Sequence, residues 1–289
     1  MSETKTNLRQ ASNKVKVAGI VSSKDLRIET KDGVDVIQGS ISVEIDDTNT
    51  IRFSVYSKAK TNAGKDNPSY TGLVTVMNEY KTIAENGRDE ADRVYVTGEF
   101  NPYIGQNGKE VMSQKASFFN RVQKIENYEP KAEFEVEVFI ANISHEVDTE
   151  GNETGRLKVR GWMPTYNGIE PINMICPAEN ADNFENAYSV GQTAELDGDV
   201  INSRVEKKTE IPMAFGKPKV KVETSYKNEL IITGGTEPYE DGVSQYAPYD
   251  KGAIDLAITE REAKLAAKEN TPAKKPTSAP AGSTRTVNF

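Results

Sequence analysis

A short strand signature that occurs twice constrains this chain more than anything else in it. The first copy is Arg93-Val-Tyr-Val-Thr-Gly-Glu-Phe100, and the second is Thr193-Ala-Glu-Leu-Asp-Gly-Asp-Val200. Each alternates polar and apolar residues with the period of a pleated strand, reaches a glycine, and runs on into another short extended stretch. A glycine inside such a pattern marks a bulge or bend, because no Cβ obstructs the backbone there. Similar elements surround both copies in the same order, so the chain reads as two small β-barrels in tandem.

Ahead of the first copy, residues 13–21 alternate and carry Gly19. Residues 36–45 form a second strand after the turn at Lys31-Asp-Gly33, and residues 50–56 a third. On that third strand Ile51, Phe53 and Val55 share one face, while Arg52, Ser54, Tyr56 and Lys58 share the other. Residues 59–71 read as a polar, mobile loop. Residues 72–85 space Leu73, Val76, Met77, Tyr80 and Ile83 as on one side of a helix. Beyond Phe100, the Asn-Gly at 107–108 signals a hairpin, and residues 111–122 close the set.

Strand, strand, strand, helix, strand, strand is the order of the OB-fold, a five-stranded, partly open barrel. Asn13-Lys-Val with Gly19, Arg52-Phe-Ser-Val-Tyr56, the intervening helix and Val94-Tyr-Val-Thr-Gly-Glu-Phe100 resemble the OB domain of bacterial and bacteriophage single-stranded DNA-binding proteins. The resemblance covers residues 13–125. It implies nucleic acid on the second and third strands and their loops, and a flexible C-terminal tail that docks on replication enzymes. The chain departs from that last feature: Arg285-Thr-Val-Asn-Phe289 ends in Phe but lacks a preceding acidic run.

Glu129-Pro130 marks a boundary, after which the pattern restarts. Residues 133–143, 155–162 and 171–176 read as three strands, 178–188 occupy the helix position, and 193–205 and 227–233 complete a second OB-like set. Residues 206–226 are a Lys- and Pro-bearing insertion with the look of a long hairpin. The expected organisation is a flexible N-terminus (1–12), a DNA-binding barrel (13–128), an acidic barrel (131–240), a helix (251–270) and a disordered tail (271–289). The fold class is mainly β: two tandem five-stranded OB-fold barrels plus the C-terminal helix and tail.

The net charge of −8 looks wrong for a nucleic-acid binder until it is divided. Residues 13–128 hold 16 Lys/Arg against 16 Asp/Glu, residues 133–240 hold 10 against 20, and the tail is +3. The acidity belongs to the second barrel, so the first is the better candidate for phosphate contacts. No apolar run approaches the roughly 18–20 residues that span a bilayer, and the start lacks an apolar leader, which implies a reducing cytoplasm for the single Cys176.

Catalysis finds little support. His145, the only histidine, reads as a surface residue, and Cys176 as a buried, inert thiol. No Cys/His spacing suits zinc and no phosphate-binding loop is present. Glu133, Glu135 and Glu137 read as a solvated row on an alternating strand. Neither cofactor nor metal is expected.

Binding an unpaired strand needs cations for phosphates and aromatic faces for bases. In the first barrel the candidates are Arg52, Tyr56, Lys58 and Lys60 on the third strand and its exit, and Lys14 and Lys16 on the first strand. Lys65 and Tyr70 stand in the following loop, and Tyr103 and Lys109 in the last hairpin. In the second, Arg156, Lys158 and Arg160 form a basic stripe beside Trp162, which could equally plug the barrel. Tyr95 and Phe53 read as core, as does one of Phe118 and Phe119. The expected function is non-catalytic single-stranded DNA binding in replication or recombination, with a phage origin and replication or recombination proteins as further partners. The alternative is an OB-fold interaction or assembly module that binds no nucleic acid.

Overall fold

Alternation along the chain becomes a ring of strands when each strand buries one face inward, and this happens twice. The computed structural model describes residues 8–105, 110–123, 126, 128–166, 168–211, 213, 215 and 219–269, with the side chains of 205–211, 223 and 268–269 outside the description. The expected tail at 271–289 lies outside the described residues.

In the first ring β1 (Asn13–Lys31) pairs with β2 (Val34–Glu44), and β2 with β3 (Thr50–Lys58). The chain crosses through α1 (Pro68–Glu79) and α2 (Ile83–Asn86) to β4 (Arg93–Phe100). A small hairpin of β5 (Tyr103–Ile104) and β6 (Glu110–Val111) then leads to β7 (Gln114–Arg121). β7 runs parallel to β3 and antiparallel to β4, and β4 returns to β1, closing the barrel. This five-strand closure with a helix between the third and fourth strands is the OB topology.

Helix α1 begins four residues earlier than its apolar spacing predicts. Asn67 caps it, accepting from the Ser69 amide, and Pro68 fits the first turn, where no N–H is needed. Tyr70, expected in a loop, therefore sits in the helix and packs against the core. β1 continues to Lys31 as one arm of a hairpin whose turn has Asp32 and Gly33 at φ 51° and 75°, the left-handed pair that suits a tight two-residue turn.

The second ring repeats these pairings. β8 (Lys131–Val147) pairs with β9 (Glu153–Thr165), and β9 with β10 (Gly168–Cys176). After α3 (Ala181–Ala187), β11 (Thr193–Ile211) pairs with β12 (Lys219–Gly235), which meets β10 in parallel, while β11 returns to β8. The insertion is the far end of the β11–β12 hairpin, paired out to Ile211 and Lys219. Helix α4 (Lys251–Glu269) packs on β10.

The doubled signature marks the same place in both rings. The register shifts at Thr97/Gly98 and again at Asp197/Gly198. A Cβ on Gly98 would stand 2.5 Å from the Lys115 carbonyl oxygen, and one on Gly198 only 1.9 Å from that of Ile231. Gly98→Ala and Gly198→Ala are each expected to cost about 1–3 kcal/mol of stability from overpacking, with Gly198→Ala the larger. Urea midpoints would check this, and an unchanged midpoint for Gly198→Ala would show that the strand yields freely there.

The rings share one sheet. β1 and β8 pair antiparallel from Asn13↔Val136 to Ala18↔Lys131. Further ties cross between them: the Asn49 amide donates to the Val200 carbonyl at 3.2 Å, and the Asn202 amide to Thr50 at 2.8 Å. Residues 8–12, expected in a flexible N-terminus, are held on the second barrel. The Ala11 amide donates to the Pro164 carbonyl at 2.9 Å, and the Arg9 guanidinium forks onto the Glu137 carboxylate. Glu137 is thus no solvated charge: its side chain is 1% exposed. Alternation assigned it outward correctly, but the N-terminal segment covers that face.

Candidate nucleic-acid interface

Because Ile51, Phe53 and Val55 point into the first barrel, Arg52, Ser54, Tyr56 and Lys58 form an outward row on β3. Across the β2–β3 ladder Gln38 stands opposite Tyr56, Ser40 opposite Ser54 and Ser42 opposite Arg52. Arg27 of β1 extends the Gln38–Tyr56 row. Tyr56 is 49% exposed. Arg52 donates to the Ser40 hydroxyl at 3.0 Å, and neither it nor Lys58 has a carboxylate partner among the described residues. Arg52 and Lys58 are open cations beside an open ring, while Arg27 is paired with Glu29 at 2.6 Å.

The remaining candidates of the first barrel fall elsewhere. Lys60 pairs with Asp66 at the start of the following loop, and this holds the Asp66 carboxyl below its ordinary range. Lys65 is exposed in the same loop. Lys14 and Lys16 lie on the β1–β8 seam, both bound to Glu135, with Lys16 at 3.2 Å. The hydrogen bond from Lys14 holds the Glu135 carboxyl low, and the same bond holds the Lys14 ammonium high. These two cations share a single carboxylate and lie on the seam, away from the β3 row. Tyr103 is 51% exposed on the small hairpin; Lys109 lies outside the described residues.

The basic stripe of the second barrel is neutralised in place. Arg156 meets Glu229 at 2.7 Å and Glu146 at 3.4 Å, and Lys158 lies 3.9 Å from Glu146. Arg160 reaches Glu110 of the first barrel's hairpin at 3.3 Å. Trp162 does not plug the barrel. Leu157, Val159 and Met163 take the inward positions of β9, so Trp162 faces the other way, between the guanidiniums of Arg160 (5.2 Å) and Arg261 of α4 (5.8 Å). In the insertion, Lys219 and Lys221 are exposed, whereas the side chains of Lys207, Lys208 and Lys217 lie outside the description.

Of the aromatics read as core, Tyr95 departs from that reading, whereas the Phe118/Phe119 pair follows it. Tyr95 is 46% exposed and stacks edge-on against Tyr128 at 5.7 Å, because Val94 and Val96 take the inward positions of β4. Phe118 is exposed, while Phe119 packs inward against Phe53 at 6.2 Å. Cys176 is buried, and burial pushes its thiol up to about 11. No group of three or more His, Cys, Asp or Glu among the described residues is placed to hold a metal ion, and no helix of the described residues is long and apolar enough to cross a membrane.

The geometry defines a protein of two OB-type barrels on one shared sheet, with an open basic and aromatic face on the first. A family match specifies it further. The YorF family matches residues 11–271, and the chain belongs to that family. No curated protein matches the sequence. Among solved structures, the wild-type single-stranded DNA binding protein from Thermus aquaticus aligns at 9% identity and a TM-score of 0.49, over 83% of this chain and 98% of that one. A deletion mutant of that protein gives 10% and 0.44 over 83% and 100%. A replication protein A heterotrimer bound to single-stranded DNA gives 9% and 0.22 over 89% and 53%. The OB assignment rests on the strand pairings themselves.

Proposed function

We propose that this protein binds single-stranded DNA without catalysis, along the outer β2–β3 face of the first barrel. The observation that carries the reading is the β3 row. Arg52, Tyr56 and Lys58 stand on one open face of an OB ring, and no described carboxylate engages either cation. A single strand needs that combination, since cations hold the phosphates and a ring face takes an unpaired base. The first barrel (13–128) holds the strand and the second (131–240) extends the complex or mediates protein contacts, in replication or recombination within the cytoplasm of a bacterium or phage-infected host. The neutralised stripe of the second barrel favours contact over phosphate binding there, and with that barrel's excess of acidic residues it supports the alternative of an assembly module.

Fluorescence anisotropy with single-stranded DNA, single-stranded RNA and duplex, repeated across salt concentrations, tests this. Affinity should fall with salt at a log–log slope of about −0.7 per phosphate neutralised, and Lys58→Ala should make the slope shallower by about that amount. Binding that is absent or indifferent to salt would sink the nucleic-acid reading and leave the assembly module.

A further inference from the structure

We infer that the cleft between the two barrels receives one unstacked base of the strand held on the first barrel, an inference that rests on the function proposed above. The cleft has a volume of about 380 Å³, within the size range of small-molecule sites. Its walls come from separate parts of the chain: Met112 and Gln114 from the first barrel, Pro171 and Asn173 from β10, Asn202 from β11 and Asn228 from β12.

Four of these six carry carboxamides, and each has hydrogen-bonding capacity to spare. Asn202 is fixed by the first barrel: its side-chain amide donates to the Thr50 carbonyl and its backbone amide to the Asn49 side chain at 2.9 Å. Its side-chain oxygen has no partner among the described residues. Asn173 accepts from Arg160 at 3.2 Å, which leaves its amide nitrogen to donate. The side chains of Asn228 and Gln114 have no hydrogen-bond partner among the described residues. Carboxamides present a donor and an acceptor side by side, the pattern that matches the edge of a base. Pro171 and Met112 add apolar surface for its faces.

The charge at the rim argues for a base rather than a phosphate. The two carboxylates there, Glu110 and Glu229, are each engaged by two cations: Glu110 by Arg160 at 3.3 Å and Arg261 at 3.5 Å, and Glu229 by Arg156 at 2.7 Å and Lys227 at 3.1 Å. Every one of these cations already has a carboxylate partner, so a neutral group enters without the cost of an unpaired ion. The cleft also continues the β3 face. Thr50, which holds Asn202, belongs to the same outward row as Arg52 and Tyr56, and the Gln114 carbonyl accepts from Ser54 at 3.1 Å. From Thr50 to Tyr56 the strand rises about 20 Å, a distance that a few extended nucleotides bridge.

The test is an abasic scan. A minimal-length DNA oligonucleotide carries one abasic site, moved position by position, and its affinity for the full chain is read by anisotropy. Two positions should each lose about tenfold in affinity, one over Tyr56 and one several nucleotides away. In Asn228→Trp, which fills the cleft from an exposed strand position, the second loss should vanish and the first remain. Asn228→Ala, which leaves the strand unperturbed, should reduce the second loss severalfold. A single sensitive position, or a second one that persists unchanged in both variants, overturns the cleft while leaving the proposed function standing. If the parent binds no oligonucleotide at all, the function itself fails, and this inference with it.

Discussion

Tyr56→Ala is expected to weaken single-stranded DNA binding by about 1–3 kcal/mol, on the order of 5- to 150-fold, at every salt concentration, while leaving the salt slope nearly unchanged. Stacking displaces no counterions, so it shifts the whole log–log line without tilting it; losing a lysine tilts it. The side chain can be removed without a folding penalty that would blur the result. Tyr56 is 49% exposed on an outward row whose neighbours are Gln38 and the open face, so truncation leaves no internal cavity, and stability should change by less than about 0.5 kcal/mol. Titration of labelled oligonucleotide at four or five salt concentrations, with circular dichroism as the folding control, reads both quantities. A folded variant that binds as tightly as its parent would remove Tyr56 from the interface.

The second large effect concerns stability. Arg9→Ala is expected to cost about 3–5 kcal/mol, because it strands a buried carboxylate. The Arg9 guanidinium makes a two-pronged contact with Glu137, with Nη1 to Oε2 at 2.7 Å, and also donates to the Ala247 carbonyl at 3.2 Å. It lies 4.6 Å from the ring centre of Tyr246 and 4.8 Å from that of Tyr249. One arginine therefore clasps the N-terminal segment, β8 and the stretch leading into α4. Without it Glu137, 1% exposed, keeps the Ser12 amide at 3.3 Å and neutral tyrosine neighbours but no cation among the described residues. Arg9→Lys should recover part of the loss, since an ammonium cannot reproduce the planar fork. Arg9→Ala combined with Glu137→Gln should be more stable than Arg9→Ala alone, because no unpaired charge remains. Urea midpoints of the three variants decide it; a parental midpoint for Arg9→Ala would mean that the clasp contributes nothing.

These two residues also show how far a one-dimensional reading reaches. Tyr56 was legible. It alternates with Phe53 and Val55 on a short strand, and the pleat admits only one outward set. Tyr95 was equally legible, since Val94 and Val96 occupy the inward positions, but aromatic character suggested burial where the period did not. Arg9 and Glu137 were not legible as a pair. They are 128 residues apart, and each looks like an ordinary surface charge in its own segment.

What the sequence by itself determined is what depends on near neighbours. The two alternating sets of strands, the glycines where they bend, the helix between the third and fourth strands and the outward row of β3 all follow from periods of two to four residues and from the missing Cβ of glycine. The tertiary structure decided which charges remain free and where polar groups converge. The stripe Arg156, Lys158 and Arg160 resembles the β3 row in sequence, yet Glu110, Glu146 and Glu229 arrive from three other elements to neutralise it. The carboxamides Asn173, Asn202 and Asn228 carry no local signal, and they meet because β10, β11 and β12 close a ring beside the hairpin of another barrel. The physical reason is range: backbone conformation is set within a few residues, whereas the partner of a charge or an amide is set by which strands the closed sheet brings side by side.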